Sequence, residues 1–374
     1  MKVSLIKYVD KCVGFFLVLF LAFFRRGHVL GKKRSILVIQ LWGIGESICT
    51  LPAIAGIKKA FPKSAISVLT TNRNRAVYDK QPFIDRILCV DIGFFPICRF
   101  MFSHSFDVVL DFEEYLNISA IISYFVGGYR IGFSHNVRAS LYDRTVPYDD
   151  CKHVAHVFAN LVNAAGAKVK VGMLVALHWS KSDQVAVEKL LNANGISKTD
   201  FVVGVGAGTA ESSHCRKWPL FAELSDLLSR KYNAKIVFVG SPSEVAEFDS
   251  IIRKMRVPGL NLAGKTSLPQ LFCLAKRFDL FVGNDSGPMH ISASQGIPTV
   301  GLFGPNLPER FGPFGKLCSY VYKGSVCKYS PCINVHKGEV PDCLFAKSSK
   351  EYQECMKAIS VDDVMKTVSK VLRR

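Results

Sequence analysis

The sequence predicts an α/β protein made of two doubly wound parallel sheets in tandem, preceded by a short basic and apolar segment. Three observations carry this. Apolar runs of strand length alternate with stretches of helical periodicity, the pattern of a parallel sheet covered by helices. The pattern stops and restarts near residue 200. The chain has 374 residues, long for one hydrophobic core and comfortable for two. At 49% hydrophobic and 21% charged it is globular throughout, with no long polar tract and no repeat of solenoid period.

The first element spans residues 1–34. It holds eight Lys or Arg (Lys2, Lys7, Lys11, Arg25, Arg26, Lys32, Lys33, Arg34) against one acid, Asp10. Between them runs Cys12–Phe24, thirteen residues without a charge. A spanning helix needs about 20 apolar residues. A signal peptide needs small residues at its cleavage site, and Phe-Phe-Arg-Arg supplies none. The segment therefore predicts a helix lying in a membrane interface, with cations drawn to anionic lipid on the cytoplasmic face; a buried N-terminal helix and a full span are the alternatives. The net charge of +18 also raises nucleic acid as a partner. No helix-turn-helix, RNA-recognition signature or zinc-finger spacing supports that.

The first α/β domain is expected over 35–178. Ser35–Leu41 reads as a strand buried on both faces. A glycine turn, Trp42-Gly-Ile-Gly45, leads into a helix from about Ser47 to Ala60, closed by Phe61-Pro62. Further strands are predicted at 65–70, 86–90, 108–112 and 130–133. A strand at Met173–Leu177 and a polar helix near Ser182–Asn192 make the connection. The second domain, 179–345, opens on the strand Phe201–Ala207 and continues with strands at 235–240, 260–263, 279–283 and 299–303. A C-terminal segment, 346–374, ends in a helix that Ser360 can cap with Asp363 three residues on. Ligands of open α/β sheets sit beyond the carboxyl ends of the strands, so two facing sheets predict one shared cleft.

Three turns are candidate sites. In Asn284-Asp-Ser-Gly-Pro-Met-His290 a strand ends and a helix begins with Pro in its first turn. Asp285, Ser286 and Gly287 then aim N–H groups out of a helix N-terminus, which attracts phosphate. His290 lies within reach of a phosphate or hydroxyl. Ordinary helix capping by Asp285 or Ser286 explains the same residues equally well. In Gly204-Val-Gly-Ala-Gly208, small backbone is followed by hydroxyls (Thr209, Ser212, Ser213) and cations (Arg216, Lys217), an order that suits phosphate and equally suits a tight turn with a solvated basic edge. It is neither a Walker A loop nor a dinucleotide fingerprint, which disfavours a dehydrogenase. In Trp42-Gly-Ile-Gly-Glu46, the acid is either a first-turn complement to the helix dipole or a general base.

Together these motifs resemble glycosyltransferase family 9, the lipopolysaccharide heptosyltransferases. The resemblance rests on Gly43–Pro52, Gly206-Ala-Gly208 with Arg216-Lys-Trp-Pro219, Gly240 with Glu244, Leu262–Leu268, Asp285–His290 and Phe303-Gly-Pro305. It covers roughly residues 35 to 310. It implies a GT-B fold, two facing Rossmann-like domains, and inverting, metal-independent transfer of heptose from ADP-heptose to the lipopolysaccharide core at the inner membrane. The nucleotide sugar is a substrate and no cofactor is implied. Glu46 stands at the position of the family's general base, where the family usually has Asp. Lys217 and the hydroxyls near Thr209 would hold the diphosphate and stabilise the leaving group. Asp285, Ser286, Gly287 and His290 would line the donor site, and Glu244 would meet the nucleoside. Arg73, Arg75, Arg130 and Arg138 are candidate partners for an acidic, lipid-linked acceptor.

Of twelve cysteines, Cys327, Cys332, Cys343 and Cys355 fall late in the chain at spacings wider than paired C-x-x-C. Zinc, disulfides and plain reduced thiols all fit that spacing, and no metal is assigned. Other readings remain: a transferase for another nucleotide sugar, a GT-B-like sugar epimerase, or a binding protein that has lost its base.

Overall fold

The computed structural model describes residues 8–31, 33–91, 93–209 and 211–373. Lys2, Lys7 and Lys32 of the basic segment lie outside the described residues. The chain divides into two compact units, Met1–Val171 with Val335–Gly338, and Gly172–Asn334 with Glu339–Arg374.

The first unit begins with helix α1 (Phe15–Phe23), entered through one π-helical turn at Asp10–Gly14. It continues with β1 (Ser35–Ile39), α2 (Ile44–Ala60), β2 (Ala65–Thr70), β3 (Arg86–Cys89), α3 (Phe94–Ser103), β4 (Phe106–Asp111), α4 (Asn117–Val126), β5 (Gly127–Phe133), β6 (Arg144–Val146) and α5 (Val154–Ala164). Its six strands are ordered β3-β2-β1-β4-β5-β6. Every pairing is parallel. The apolar run of β1 is fully buried from Ile36 to Ile39 because helices cover both faces of the sheet.

The second unit contains α6 (Lys181–Ala193), β7 (Phe201–Gly206), α7 (Phe221–Tyr232), β8 (Ala234–Phe238), α8 (Val245–Ile252), β9 (Gly259–Asn261), α9 (Leu268–Ala275), β10 (Leu280–Asn284), α10 (Gly287–Ser294), β11 (Thr299–Phe303), β12 (Cys318–Tyr322) and α11 (Val361–Leu372). Its order is β12-β11-β10-β7-β8-β9, again all parallel. The last helix closes this unit's own core. Ser360 caps it with Asp363, and Val364, Val368 and Val371 are buried in one cluster with Val300, Leu302 and Trp218.

Both sheets change direction at their first strand. β1 lies between β2 and β4, and β7 between β8 and β10. Those are the switch points at which open α/β sheets place ligands. The expected strand at Met173–Leu177 does not form. The stretch is a connector without a ladder, and the Leu177 carbonyl is satisfied by the Gln295 amide at 3.0 Å. Two short edge strands, β6 and β12, were not foreseen, because neither shows a continuous apolar run.

Candidate active site

In the first unit the turn after β1 carries Glu46. Gly43 has φ of 75°, a conformation that favours glycine. The Glu46 carboxylate folds back over it, and a Cβ on Gly43 would lie 1.8 Å from Oε2. Two buried networks hold the turn. Glu113 Oε1 accepts from the backbone N–H of Leu41 (2.6 Å) and Trp42 (2.8 Å) and from the Gln40 amide (3.1 Å). On the helix side, Ser47 Oγ donates to the Gly43 carbonyl at 2.6 Å and accepts from Asn74 Nδ2 at 2.7 Å. The base candidate therefore sits on a braced first turn.

Burial pushes Glu113 up to about 8, against the pull of its N–H donors. Next to it, Glu114 is also raised well above the carboxylate range, first by burial and then by the charge of Glu46. Its Oε1 accepts from the Tyr148 hydroxyl at 3.1 Å, while Oε2 is buried without a partner. Sequence reasoning missed Glu113 and Glu114. The signal was the pair of acids directly after an apolar strand, in Val108–Glu114.

The four arginines expected on the acceptor side separate into two groups. Arg73 is exposed and stands over the Trp42 ring, 5.6 Å from its centroid, beside the Glu46 turn. Arg75 is exposed and pairs with Asp79 at 3.7 Å. Arg130 and Arg138 lie inside the fold. Arg138 is fully buried on Asp111 (2.6 Å) and the Tyr142 hydroxyl (2.6 Å). Arg130 Nε binds Asp143 at 2.9 Å. Strand β5 and the turn after it deliver both inward, so neither guanidinium faces solvent.

In the second unit, β7 and β10 are neighbours, with Gly206 opposite Gly283. This register brings the two glycine-rich turns together. Asn284 locks them: its amide donates to the Ala207 carbonyl at 2.7 Å, and its Oδ1 accepts from Trp218 N at 3.2 Å. Arg216 reaches Asp285 Oδ2 at 3.1 Å, and Asn306 donates to the same oxygen at 2.8 Å. Ser286 Oγ donates to the Asn284 carbonyl at 3.2 Å, and α10 has no side-chain cap. Neither side chain thus covers the Gly287 N–H; Pro288 has no N–H, and Met289 N donates to the Ser286 carbonyl at 3.2 Å.

Thr209 is buried with Oγ1 unpartnered. Lys217 Nζ contacts Glu247 at 2.5 Å. Glu244 closes a capping box with Ser241 and lies against Gly208. His290 is buried, which pushes it down to about 4 and leaves it neutral at physiological pH. Ser213 is buried, while Ser212 lies at the edge of the described segment. On and around these turns the unit carries a hydroxyl, two cations, a neutral imidazole and the Gly287 N–H, groups of the kind that hold a diphosphate.

The late cysteines converge. Cys215, Cys327, Cys332, Cys343 and Cys355 line one small cavity, all as free thiols. Burial raises Cys332 to about 11 and Cys355 to about 12. Among the described residues, no three His, Cys, Asp or Glu side chains are placed to hold a metal ion.

Two doubly wound parallel sheets, each with a built turn at its switch point, are the architecture of the GT-B class. The chain belongs to glycosyltransferase family 9, whose sequence model, described as "Glycosyltransferase family 9 (heptosyltransferase)", matches residues 97–336. It is similar to a lipopolysaccharide core heptosyltransferase, OpsX, of Haemophilus influenzae, with 22% identity over 77% of this chain and 84% of that protein. Among solved structures it is similar to a family 9 glycosyl transferase from Veillonella parvula (TM-score 0.78, 22% identity, 93% and 99% of the two chains). It is also similar to the ADP-heptose lipopolysaccharide heptosyltransferase II of E. coli (TM-score 0.69, 19% identity, 91% and 98%).

Proposed function

We propose that this glycosyltransferase moves heptose from ADP-heptose to a lipid-linked lipopolysaccharide core acceptor, with inversion, at the cytoplasmic face of the inner membrane. The observation that carries the reading is the turn assembly of the second unit. The register of β7 and β10 sets the two turns side by side, and Arg216 reaches Asp285 at the start of α10, which supports a donor site built on Thr209, Arg216, Lys217 and that turn. The names of the relatives supply the sugar and the core acceptor.

In the step proposed, an acceptor hydroxyl oxygen attacks the anomeric carbon as the bond from that carbon to the diphosphate breaks. ADP leaves with the bonding pair, and the hydroxyl proton passes to Glu46. Arg216, Lys217, the Thr209 hydroxyl and the Gly287 N–H take up the charge that develops on the diphosphate. Neutral His290 donates a hydrogen bond without adding charge.

The test is incubation of the full chain with ADP-heptose and core acceptors of graded length, read by ADP release and acceptor mass. One heptose is added to at least one acceptor. Glu46→Gln loses turnover by about 10²-fold or more while ADP binding persists. Folded protein that transfers to no acceptor overturns the reading. A fully active Glu46→Gln variant removes Glu46 as the base.

A further inference from the structure

The first unit carries an apolar surface that its folding does not explain. Phe16, Phe20, Phe23 and Phe24, on or just after α1, are 70%, 62%, 86% and 55% exposed. Phe102 on α3 is 78% exposed and Phe125 on α4 is 40% exposed. The surface is continuous. Phe20 and Phe23 meet Phe24 at 5.1 and 5.3 Å between ring centroids. The Tyr124 hydroxyl donates to the Phe24 carbonyl at 3.4 Å, and the Tyr124 ring touches Phe125, which meets Phe102 at 5.8 Å. Soluble monomers rarely leave an apolar patch of this kind in water without a partner for it.

The surface is also fixed in place. At one end of α1, the Asp10 carboxylate accepts from the first N–H groups of α4, Asn117 at 2.9 Å and Ile118 at 2.7 Å. At the other, Arg25 Nη1 donates to the Ser140 carbonyl at 3.3 Å, and His28 N donates to Asp143 at 2.9 Å. Along the inner side, Val18 is fully buried, with Leu21 and Ala22 packed on the same core as Ile121 and Leu141. The helix is therefore docked lengthwise on the unit, with its outer phenylalanines held outward.

Charge selects the partner. Exposed Lys11 and Arg26 flank α1, Arg25 is paired with Asp143 at 3.4 Å, and the one acid of the segment is turned inward as the α4 cap. Among the described residues no helix is long and apolar enough to cross a membrane. We propose that the outer face of α1 together with Phe102 and Phe125 is a preformed docking face for an anionic phospholipid bilayer, lying in its interface. The inference deepens the proposed function, since it rests on the acceptor being lipid-linked.

The test is flotation of the full chain with vesicles of phosphatidylethanolamine containing a minority of phosphatidylglycerol. The wild type floats, and less of it floats as salt rises. Phe102→Ser/Phe125→Ser and, separately, Phe16→Ser/Phe20→Ser each lower the partition coefficient about tenfold or more, from lost apolar burial. Thermal unfolding of the Phe16→Ser/Phe20→Ser variant is unchanged, because those two rings are mostly exposed. Wild type that stays at the bottom of the gradient overturns the proposal, as does a Phe102→Ser/Phe125→Ser variant that floats like wild type. A concentration-dependent dimer in the absence of lipid, lost in that variant, assigns the face to a second copy and overturns it equally. Flotation needs no turnover, and transfer to a delipidated core oligosaccharide needs no vesicle. Failure of this proposal is thereby distinct from failure of the transferase reading.

Discussion

Glu244 lies directly on Gly208, so that a Cβ built on the glycine would stand 1.6 Å from the Glu244 Oε1. The glycine of one turn thus makes room for the acid of the next element. Glu244 is held there by its own capping box, Ser241 N to Oε2 at 2.6 Å. Gly208→Ala must push the carboxylate away or shift the turn that carries Thr209. The expected result is a donor KM raised about tenfold, with the acceptor KM unchanged. Steady-state kinetics with each substrate varied in turn checks it. Equal effects on both substrates assign Gly208 a structural part only.

The fold was legible because both sheets are parallel and buried. Such strands read as unbroken apolar runs, and β1, β2, β7, β10 and β11 all announce themselves in that way. Arg-Thr-Val in β6 and Cys-Ser-Tyr-Val-Tyr in β12 make no such run, which is why those two were missed. The residues proposed for the donor side stood out as candidates because they share turns with glycine and proline. Arg130 and Arg138 read as exposed cations because a sequence does not show that Asp143 and Asp111 wait for them inside. Glu114 was missed for the converse reason, since two adjacent acids after a strand look like a solvated strand end. Only the packing of Tyr148 and the nearness of Glu46 reveal a buried carboxyl group.

The resemblance puts Glu46 where the family usually has Asp, and its carboxylate is folded back over Gly43. The side chain is one methylene longer, yet the fold-back returns part of that reach. Shortening it withdraws the carboxylate from the position set by the braced turn. Glu46→Asp is expected to lower kcat about tenfold to a hundredfold and to leave the ADP dissociation constant alone. A variant that matches the wild type in kcat shows that the reacting hydroxyl tolerates both reaches.

Glu113 gives the first unit a pH-dependent stability with a definite sign. Its carboxyl group, raised to about 8 in the fold by burial, returns to about 4.5 when unfolded. Between those values the unfolded chain binds fewer protons than the folded one, so stability falls as pH rises. The decline ends above about 8, once the folded carboxyl group has also ionised. The slope from this group is at most about 1.4 kcal/mol per pH unit. Glu113→Gln imitates the protonated form, and its oxygen still accepts from Leu41 and Trp42. Melting temperatures from pH 5 to 8 should therefore decline less steeply in the variant than in the wild type. Parallel slopes would show that Glu113 is already ionised in the fold.

Arg138 is the sharpest test of the claim that this cation belongs to the core. It is fully buried, with Asp111 Oδ2, the Tyr142 hydroxyl and the Ser119 hydroxyl around its Nη2. Replacing it by methionine leaves the Asp111 charge buried and uncompensated, at a cost of about 3–5 kcal/mol. Restoring neutrality with Asp111→Asn in the same chain should recover part of that loss, because the two residues interact directly. Tyr142 Oη also donates to Asp111 at 2.7 Å, so the recovery is incomplete. Denaturant unfolding of the two single variants and the double variant measures the coupling. A core role predicts a coupling energy above about 1 kcal/mol and an acceptor KM that follows stability. A solvent-facing acceptor role predicts independent stabilities and an acceptor KM that rises in Arg138→Met alone.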